Sequence, residues 1–219
     1  VITVHHLNQS RSHRVLWALE ELEVPYALVK YDRDPKTSLA PPELQKIHPL
    51  GKSPVLVDDG AVYAESGAIL EYLADKFGKF RPAAGTQAAR DCRYFLHYAE
   101  GSLMPFLLLK LIFGKIKTGA PFLVRPITNA IVSKVSGDFI DPNLTRHVKF
   151  LGDHLEKHAW FAGAEISIAD FQMVYAMEGI LSRAKDFTLS PKIQQWVDSC
   201  RARPAFKKAL DKGGPMMLG

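Results

Sequence analysis

The chain has 219 residues, 47% of them hydrophobic and 23% charged, which suits one large or two small globular domains and excludes intrinsic disorder. Lys and Arg number 28 against 23 Asp and Glu, a formal net charge of +5. Lys110 interrupts the most apolar run, Phe106 to Phe113, so no stretch of about 18 apolar residues exists and no membrane span is expected.

The first elements alternate. Val1 to Leu7 is rich in β-branched residues and predicts a strand. Ser10 then precedes a helical pattern with Val15, Leu16, Leu19 and Leu22 on one face, ended by Val24-Pro25. Tyr26 to Tyr31 predicts a second strand, and Pro41-Pro42-Glu43 opens a short helical turn over Leu44 to Ile47. Pro54 to Val57 and Val62 to Tyr63 flank the turn Asp58-Asp59-Gly60-Ala61, a hairpin signal. Ala68 to Phe77 predicts a helix with Ile69, Leu70, Leu73 and Phe77 on one face and Gly78 just past its end. The order βαβαββα makes one mixed sheet with helices on it.

Residues 79–85 lack periodicity and hold Pro82 and Gly85, which places a linker there. Beyond it nearly everything reads helical. One long amphipathic segment runs from Ala88 to about Lys117, bent near Pro105; further helices are expected at about 121–136, 142–158, 168–183 and 191–211. The fold class is therefore α/β followed by all-α, with domains at 1–78 and 86–219.

Charge divides unevenly across that boundary. Residues 1–78 hold 8 Lys+Arg against 11 Asp+Glu, a net of −3; residues 79–219 hold 20 against 12, a net of +8. The basic residues are scattered singly along helical patterns and no nucleic-acid motif accompanies them, so nucleic acid is not expected as a partner. Cys92 and Cys200 cannot build a disulfide framework, and no leader pattern opens the chain; a reducing, cytoplasmic setting follows.

Three constellations carry chemistry. Ser10 lies after a strand and at a helix start, with Arg14 four residues on; unpaired N–H groups there favour an anion, to which a hydroxyl can donate. Taken alone, Ser10 or Ser12 also reads as a plain N-cap. Gly51-Lys52-Ser53 superficially matches the end of a phosphate loop, but Lys46 stands where that motif needs Gly and Pro54 begins a strand instead of a helix. A proline opening a strand after a loop suggests a tight turn, in which the bond before Pro54 could be cis, and a plain loop reads equally from the same residues. Glu65-Ser66, where a strand passes into a helix, could hold an amino-acid zwitterion: the carboxylate on Ser66 and the helix amides, the ammonium on Glu65. A simple cap explains the same two residues. In the second half, Ser167 caps a helix and Asp170, three residues on, can reach back to it. His154 and His158 have a metal-compatible spacing, but Leu155 stands where a zinc-protease pattern needs Glu, so they read as a solvated helix face and no metal is expected.

With Ser10…Arg14, Gly51-Lys52-Ser53-Pro54-Val55-Leu56, Glu65-Ser66 and Ser167-Ile168-Ala169-Asp170 in this order, the sequence resembles the cytosolic glutathione transferases of the serine type. His48-Pro49-Leu50-Gly51 and Tyr98-Ala99-Glu100-Gly101-Ser102-Leu103 are most similar to fungal and bacterial members. The resemblance covers the whole chain. It implies a thioredoxin-like N-terminal domain that binds glutathione as co-substrate, without a metal, and a helical domain that shapes the site for small hydrophobic electrophiles. It implies conjugation, organic-hydroperoxide reduction as a side activity, and a homodimer.

Carried onto these positions, Ser10 would donate to the glutathione sulfur, and Ser53, before Pro54, would pair its backbone with the cysteinyl part. Lys52 would sit near the glycyl end, and Glu65 and Ser66 would grip the γ-glutamyl end. Arg14 would brace the helix start or the domain interface. Ser10 is favoured over Ser12, because its spacing to Arg14 matches the serine pattern and Ser12 would lie inside the helix. Tyr98, Ser102, Met104 and Phe106 are the electrophile-site candidates, with core packing as the competing reading. Leu39-Ala40-Pro41-Pro42-Glu43 lacks the basic residue that related serine enzymes carry before Pro-Glu, which leaves Lys52 alone with the glycyl carboxylate. Two other activities remain open: a glutathione-dependent thiol-disulfide reductase, disfavoured because no cysteine lies near residue 10, and a non-catalytic binding or scaffold module on the same fold.

Overall fold

The structure, a computed structural model, describes residues 1–183 and 187–216; positions 184–186 and the last three of the predicted helical domain, 217–219, lie outside the described residues. Strands β1 (Thr3–Leu7), β2 (Ala27–Tyr31), β3 (Val55–Asp58) and β4 (Ala61–Ala64) form one mixed sheet in the order β2-β1-β3-β4. β1 pairs parallel with β2 and antiparallel with β3, so Val4 stands between Leu28 and Leu56. A parallel β1–β2 pair needs a crossover, and helix α1 (His13–Leu22) supplies it. Its Val15, Leu16, Trp17, Ala18, Leu19 and Leu22 are all buried, because the sheet lies on one side and the helical half on the other. Helix α2 (Ser66–Phe77) follows the β3–β4 hairpin and ends at Gly78, whose φ of 63° closes it as a left-handed cap. Between β2 and β3 the expected helical turn is a single 3₁₀ segment, Pro42–Lys46.

The rest is helical: α3 (Gln87–Tyr98), α4 (Met104–Gly119), α5 (Arg125–Val135), α6 (Asp141–Leu155), α7 (Ile168–Arg183), α8 (Pro191–Ala202) and α9 (Pro204–Gly213). Thr86 caps α3, accepting from the Ala89 N–H at 3.1 Å. The expected bend near Pro105 is a π-turn over Ala99–Leu103, and a second π-turn over Ser136–Ile140 precedes Pro142. In both places a proline two residues past the turn cannot donate its helix hydrogen bond, and the chain inserts a wider turn ahead of it. The helix expected at 191–211 is instead two. Pro204 forbids the helical conformation at Arg203, which sits extended at φ −66°, ψ 134°. Helix α7 is buried on nearly every face and forms the centre of the helical half. Trp17 of α1 stacks edge-on against Phe171 of α7 and Phe206 of α9, which joins the two halves into one core.

Candidate active site

β1 ends at Leu7, and the turn Asn8-Gln9-Ser10 carries the chain to α1. Ser10 is nearly buried; its Oγ lies 2.7 Å from the Leu7 carbonyl and 2.7 Å from Ser12 Oγ, and accepts the Ser12 N–H at 3.2 Å. Ser12 is not inside the helix as expected but one residue ahead of it. Its hydroxyl is 2.6 Å from His6 Nδ1, and His6 Nε2 is 2.9 Å from the Gly213 carbonyl at the end of α9. A carbonyl can only accept, so Nε2 carries the proton and Nδ1 receives the Ser12 hydroxyl proton. Burial lowers the His6 pKa, outweighing the opposite pull of that carbonyl, so the ring is neutral at pH 7. A Cβ at position 213 would stand 2.6 Å from His13 Cε1 and 2.7 Å from Leu16 Cδ1, so only glycine lets the α9 terminus approach this closely. The array Gly213–His6–Ser12–Ser10 thus positions the Ser10 oxygen, whose proton is directed to the Leu7 carbonyl or the Ser12 oxygen. Ser12→Ala would leave His6 Nδ1 buried without a donor, at an expected cost of about 1–3 kcal/mol in urea unfolding; an unchanged stability would dissolve the array.

Two adjoining cavities, of about 330 Å³ and 300 Å³, share Arg11, Leu50, Lys52 and Ser53 in their walls. The first adds Ser10, Arg33, Gln45 and Tyr175; the second adds Pro54, Glu65, Ser66 and Glu100. The Ser53–Pro54 peptide is cis. Ser53 Oγ donates to the His5 carbonyl at 2.9 Å and accepts the Leu7 N–H at 3.0 Å, which ties the loop to the end of β1. Glu65 is exposed at φ 70°, a left-handed conformation that costs a non-glycine residue about 1–3 kcal/mol and is held where the surroundings over-determine it. Its carbonyl accepts from the Ile69 N–H and starts α2.

Beneath the second cavity lies an ion cluster built around one buried arginine. The Glu100 carboxylate, in the first π-turn, accepts from Arg14 Nη1 at 2.6 Å and Arg11 Nε at 2.9 Å. Burial raises the Glu100 pKa, but Arg14 and Arg11 outweigh it and hold the carboxyl below its usual range. Arg14 is fully buried, reaches Ser66 Oγ at 3.2 Å, and lies 5.4 Å over the Tyr175 ring, so it spans α1, α2 and the helical half.

Ser10, Lys52, Ser53, Pro54, Glu65 and Ser66 therefore line connected cavities, while the four electrophile-site candidates do not. Tyr98 is buried among Tyr94, Phe95 and Phe150, with its hydroxyl 2.5 Å from His147 Nδ1. Met104 is core, and Phe106 packs on Phe139 and His147. Ser102 and Tyr98 line a separate groove of about 650 Å³ along α3, beside Arg90 and Arg93. The π-turn changes which side chains reach the site: from this stretch it is Glu100 that lines the second cavity.

Sequence reasoning missed Arg11, Arg33, Glu100 and Tyr175. Arg33 bonds to the carbonyls of Asn8, Gln9 and Ser38 and has no carboxylate partner among the described residues, a second cation beside Lys52. Arg11, three residues before Arg14, was the one legible signal, a second cation on the same helix start. In the helical half Asp170 accepts from the Phe161 and Ser167 N–H groups, both at 2.8 Å, and from the Ser167 hydroxyl at 2.9 Å. No group of three His, Cys, Asp or Glu able to hold a metal occurs among the described residues.

A family model described as "Glutathione S-transferase, N-terminal domain" matches residues 10–76, and one described as "Glutathione S-transferase, C-terminal domain" matches residues 127–213. The chain is 36% identical to glutathione S-transferase 3 of Schizosaccharomyces pombe, across 97% of this chain and 88% of that one. The chain belongs to the glutathione S-transferase family of enzymes. It is also 30% identical to the disulfide-bond oxidoreductase YfcG of Escherichia coli, across 91% and 90% of the two chains. Among solved structures, a glutathione S-transferase from Actinobacillus pleuropneumoniae matches with a TM-score of 0.74 and 32% identity, over 97% of this chain and 93% of that one. The sheet-plus-3₁₀ N-terminal half is accordingly the thioredoxin-like part of this fold, and the helical half its usual companion.

Proposed function

We propose that the protein is a serine-type transferase: Ser10 holds the sulfur of glutathione as thiolate, which attacks small hydrophobic electrophiles and, as a side activity, organic hydroperoxides. The observation that carries this reading is the convergence of Ser10, Lys52, Ser53, Pro54, Glu65 and Ser66 on two cavities with a shared wall. Cations and an acid alternate there as a peptide with two carboxylates and one ammonium requires. Lys52 and Arg33 take the glycyl carboxylate, the Ser53 backbone takes the cysteinyl part, Ser66 and the α2 start take the γ-glutamyl carboxylate, and Glu65 takes the ammonium.

A free thiol has a pKa of about 8.5, and lowering it by about two units takes roughly 2.7 kcal/mol of preference for the anion. A hydrogen bond to a charged group contributes about 1.5–3 kcal/mol and a helix start about 0.3–1 kcal/mol, so the two suffice without a general base. The Ser10 hydroxyl must turn away from neutral acceptors to do this, which is favourable because a bond to an anion is about twice as strong. In conjugation the sulfur lone pair forms the new S–C bond as the leaving group departs with its electron pair.

Titrating reduced glutathione into wild type and Ser10→Ala tests this, with thiolate absorbance followed against pH. Binding is expected in both, with the bound thiol pKa raised by about one to two units in the variant, the loss of that charged bond. Binding with an unchanged pKa would remove Ser10 from the mechanism, and no binding at all would favour a scaffold.

A second reading, glutathione-dependent disulfide reduction, draws on the oxidoreductase relative. Cys92 and Cys200 are buried, and burial pushes both thiols up, so such chemistry would run through glutathione thiols alone. Turnover of a small dialkyl disulfide faster than of an alkyl halide would favour it. The proposal extends to a homodimer in the cytoplasm and a role in detoxification.

A further inference from the structure

The stretch Gly101–Gly137 contains no Asp or Glu but holds Lys110, Lys115, Lys117, Arg125 and Lys134. Lys110 and Lys134 are paired, with Asp141 and Asp138, both at 2.7 Å. Lys115, Lys117 and Arg125 are exposed and have no carboxylate partner among the described residues. These three gather at the tip of the α4–α5 hairpin, where α4 ends at Gly119, a 3₁₀ turn spans Phe122–Val124 and α5 begins at Arg125. The same tip turns its largest apolar side chains outward: Phe122 is 81% exposed, Leu123 88% and Ile127 66%. Ile131, one turn beyond Ile127 on α5, is exposed as well, and so is Ile116 on α4.

We propose that this tip docks on an anionic phospholipid surface, with Phe122, Leu123 and Ile127 entering the boundary between headgroups and acyl chains while Lys115, Lys117 and Arg125 meet the phosphates. Arg125 donates to the Ala120 carbonyl at 3.2 and 3.3 Å and keeps its charge uncompensated. An apolar crown flanked by cations without carboxylate partners is the chemistry of interfacial binding, in which buried apolar area and attraction to anionic lipid act together. A second copy fits less well, because residues 101–137 carry no carboxylate and a two-fold contact of this patch with itself would bring like charges together. A nucleic acid fits less well too, since Phe122 is the crown's single ring and Leu123, Ile127 and Ile116 beside it are aliphatic, with no series of rings for successive bases. The docking is peripheral: among the described residues no helix is long and apolar enough to cross a membrane. It does not depend on the chemistry of the Ser10 groove.

Co-sedimentation of the full chain with vesicles tests it, comparing pure phosphatidylcholine with a mixture of phosphatidylcholine and phosphatidylserine. Wild type is expected to bind the anionic vesicles, to prefer them to the neutral ones by at least about tenfold, and to lose binding as salt rises. Phe122→Asp/Leu123→Asp is expected to abolish binding at any salt. Lys115→Glu/Lys117→Glu is expected to weaken it by about tenfold or more while leaving the apolar crown intact. All four positions are exposed, and circular dichroism with thermal unfolding confirms that each variant folds. No binding by wild type, or equal binding by wild type and both variants, overturns the proposal. Dissociation of a dimer by Phe122→Asp/Leu123→Asp, seen in sedimentation velocity alongside vesicles that wild type ignores, would assign the tip to a second copy.

Discussion

Asp170→Ala is expected to lower stability by about 3–5 kcal/mol, read from urea unfolding at pH 7, because it strips partners from buried donors that each cost about 1–3 kcal/mol when unpaired. The Phe161 and Ser167 N–H groups and the Ser167 hydroxyl all point at this one carboxylate, and Asp170, Phe161 and Ser167 are completely or almost completely buried, so water cannot replace it. The contact joins the start of α7, the central helix, to the loop before it, so its loss is felt across the helical core. Asp170→Asn should recover only part of the loss: one amide oxygen can still accept, but the amide nitrogen would face another donor. The pH dependence has a definite sign. Burial, against its hydrogen bonds, pushes the Asp170 pKa from 3.8 to about 6. The folded chain therefore holds this proton more tightly than the unfolded one, and the group's contribution to stability falls as pH rises from about 4 to about 6. Asp170→Asn should flatten that slope.

Glu100→Ala is expected to cost less, about 1.5–3 kcal/mol, because it takes the carboxylate from the buried Arg14 guanidinium while the cavity that Glu100 lines lets water take part of its place. Burial already lowers the Arg14 pKa and Glu100 is its main support. The pairing also explains the sign of the Glu100 dependence: a carboxyl held low contributes stability above its ordinary range, and that is lost as pH falls through its lowered value. The double variant Glu100→Ala/Arg14→Met should regain most of the stability, since removing both charges removes the uncompensated one. If Glu100→Ala unfolds like wild type, the cluster does not hold the halves together. Glutathione affinity in the same variants would report how far the cluster also shapes the cavity wall that Arg11 and Glu100 form.

Most of the N-terminal half was legible because its signals are local. Strand runs, the Asp58-Asp59-Gly60-Ala61 turn and Gly78 each depend on residues a few positions apart. Ser10, Pro54 and Glu65-Ser66 were likewise found at the ends of elements, where helix starts and loop prolines announce themselves. The electrophile side was not legible. Tyr98, Ser102, Met104 and Phe106 lie along one predicted helix, and the π-turn at Ala99–Leu103 shifts the register within that helix. Pro105 showed that something would happen there, but hydrophobic spacing does not tell a bend from an inserted residue. Pro204 carried the same kind of warning for α8 and α9.

The amino-acid sequence by itself determined the order of elements, the division into a sheet half and a helical half, and the element ends at which Ser10, Pro54 and Glu65-Ser66 stand. Each of these follows from periodicity, capping and backbone restriction within a few residues. The tertiary structure alone decided the company those groups keep. His5 and His6 are adjacent on β1 and face opposite sides of the sheet, so only His6 meets Ser12; the Gly213 carbonyl, 207 residues away, decides which of its ring nitrogens does so as acceptor. Glu100 reaches Arg14 across 86 residues, and Arg33 joins Lys52 through a fold of the loop after β2. Such contacts depend on three-dimensional closure between elements whose sequences hold no record of one another, and close packing around α1 settles which of them form.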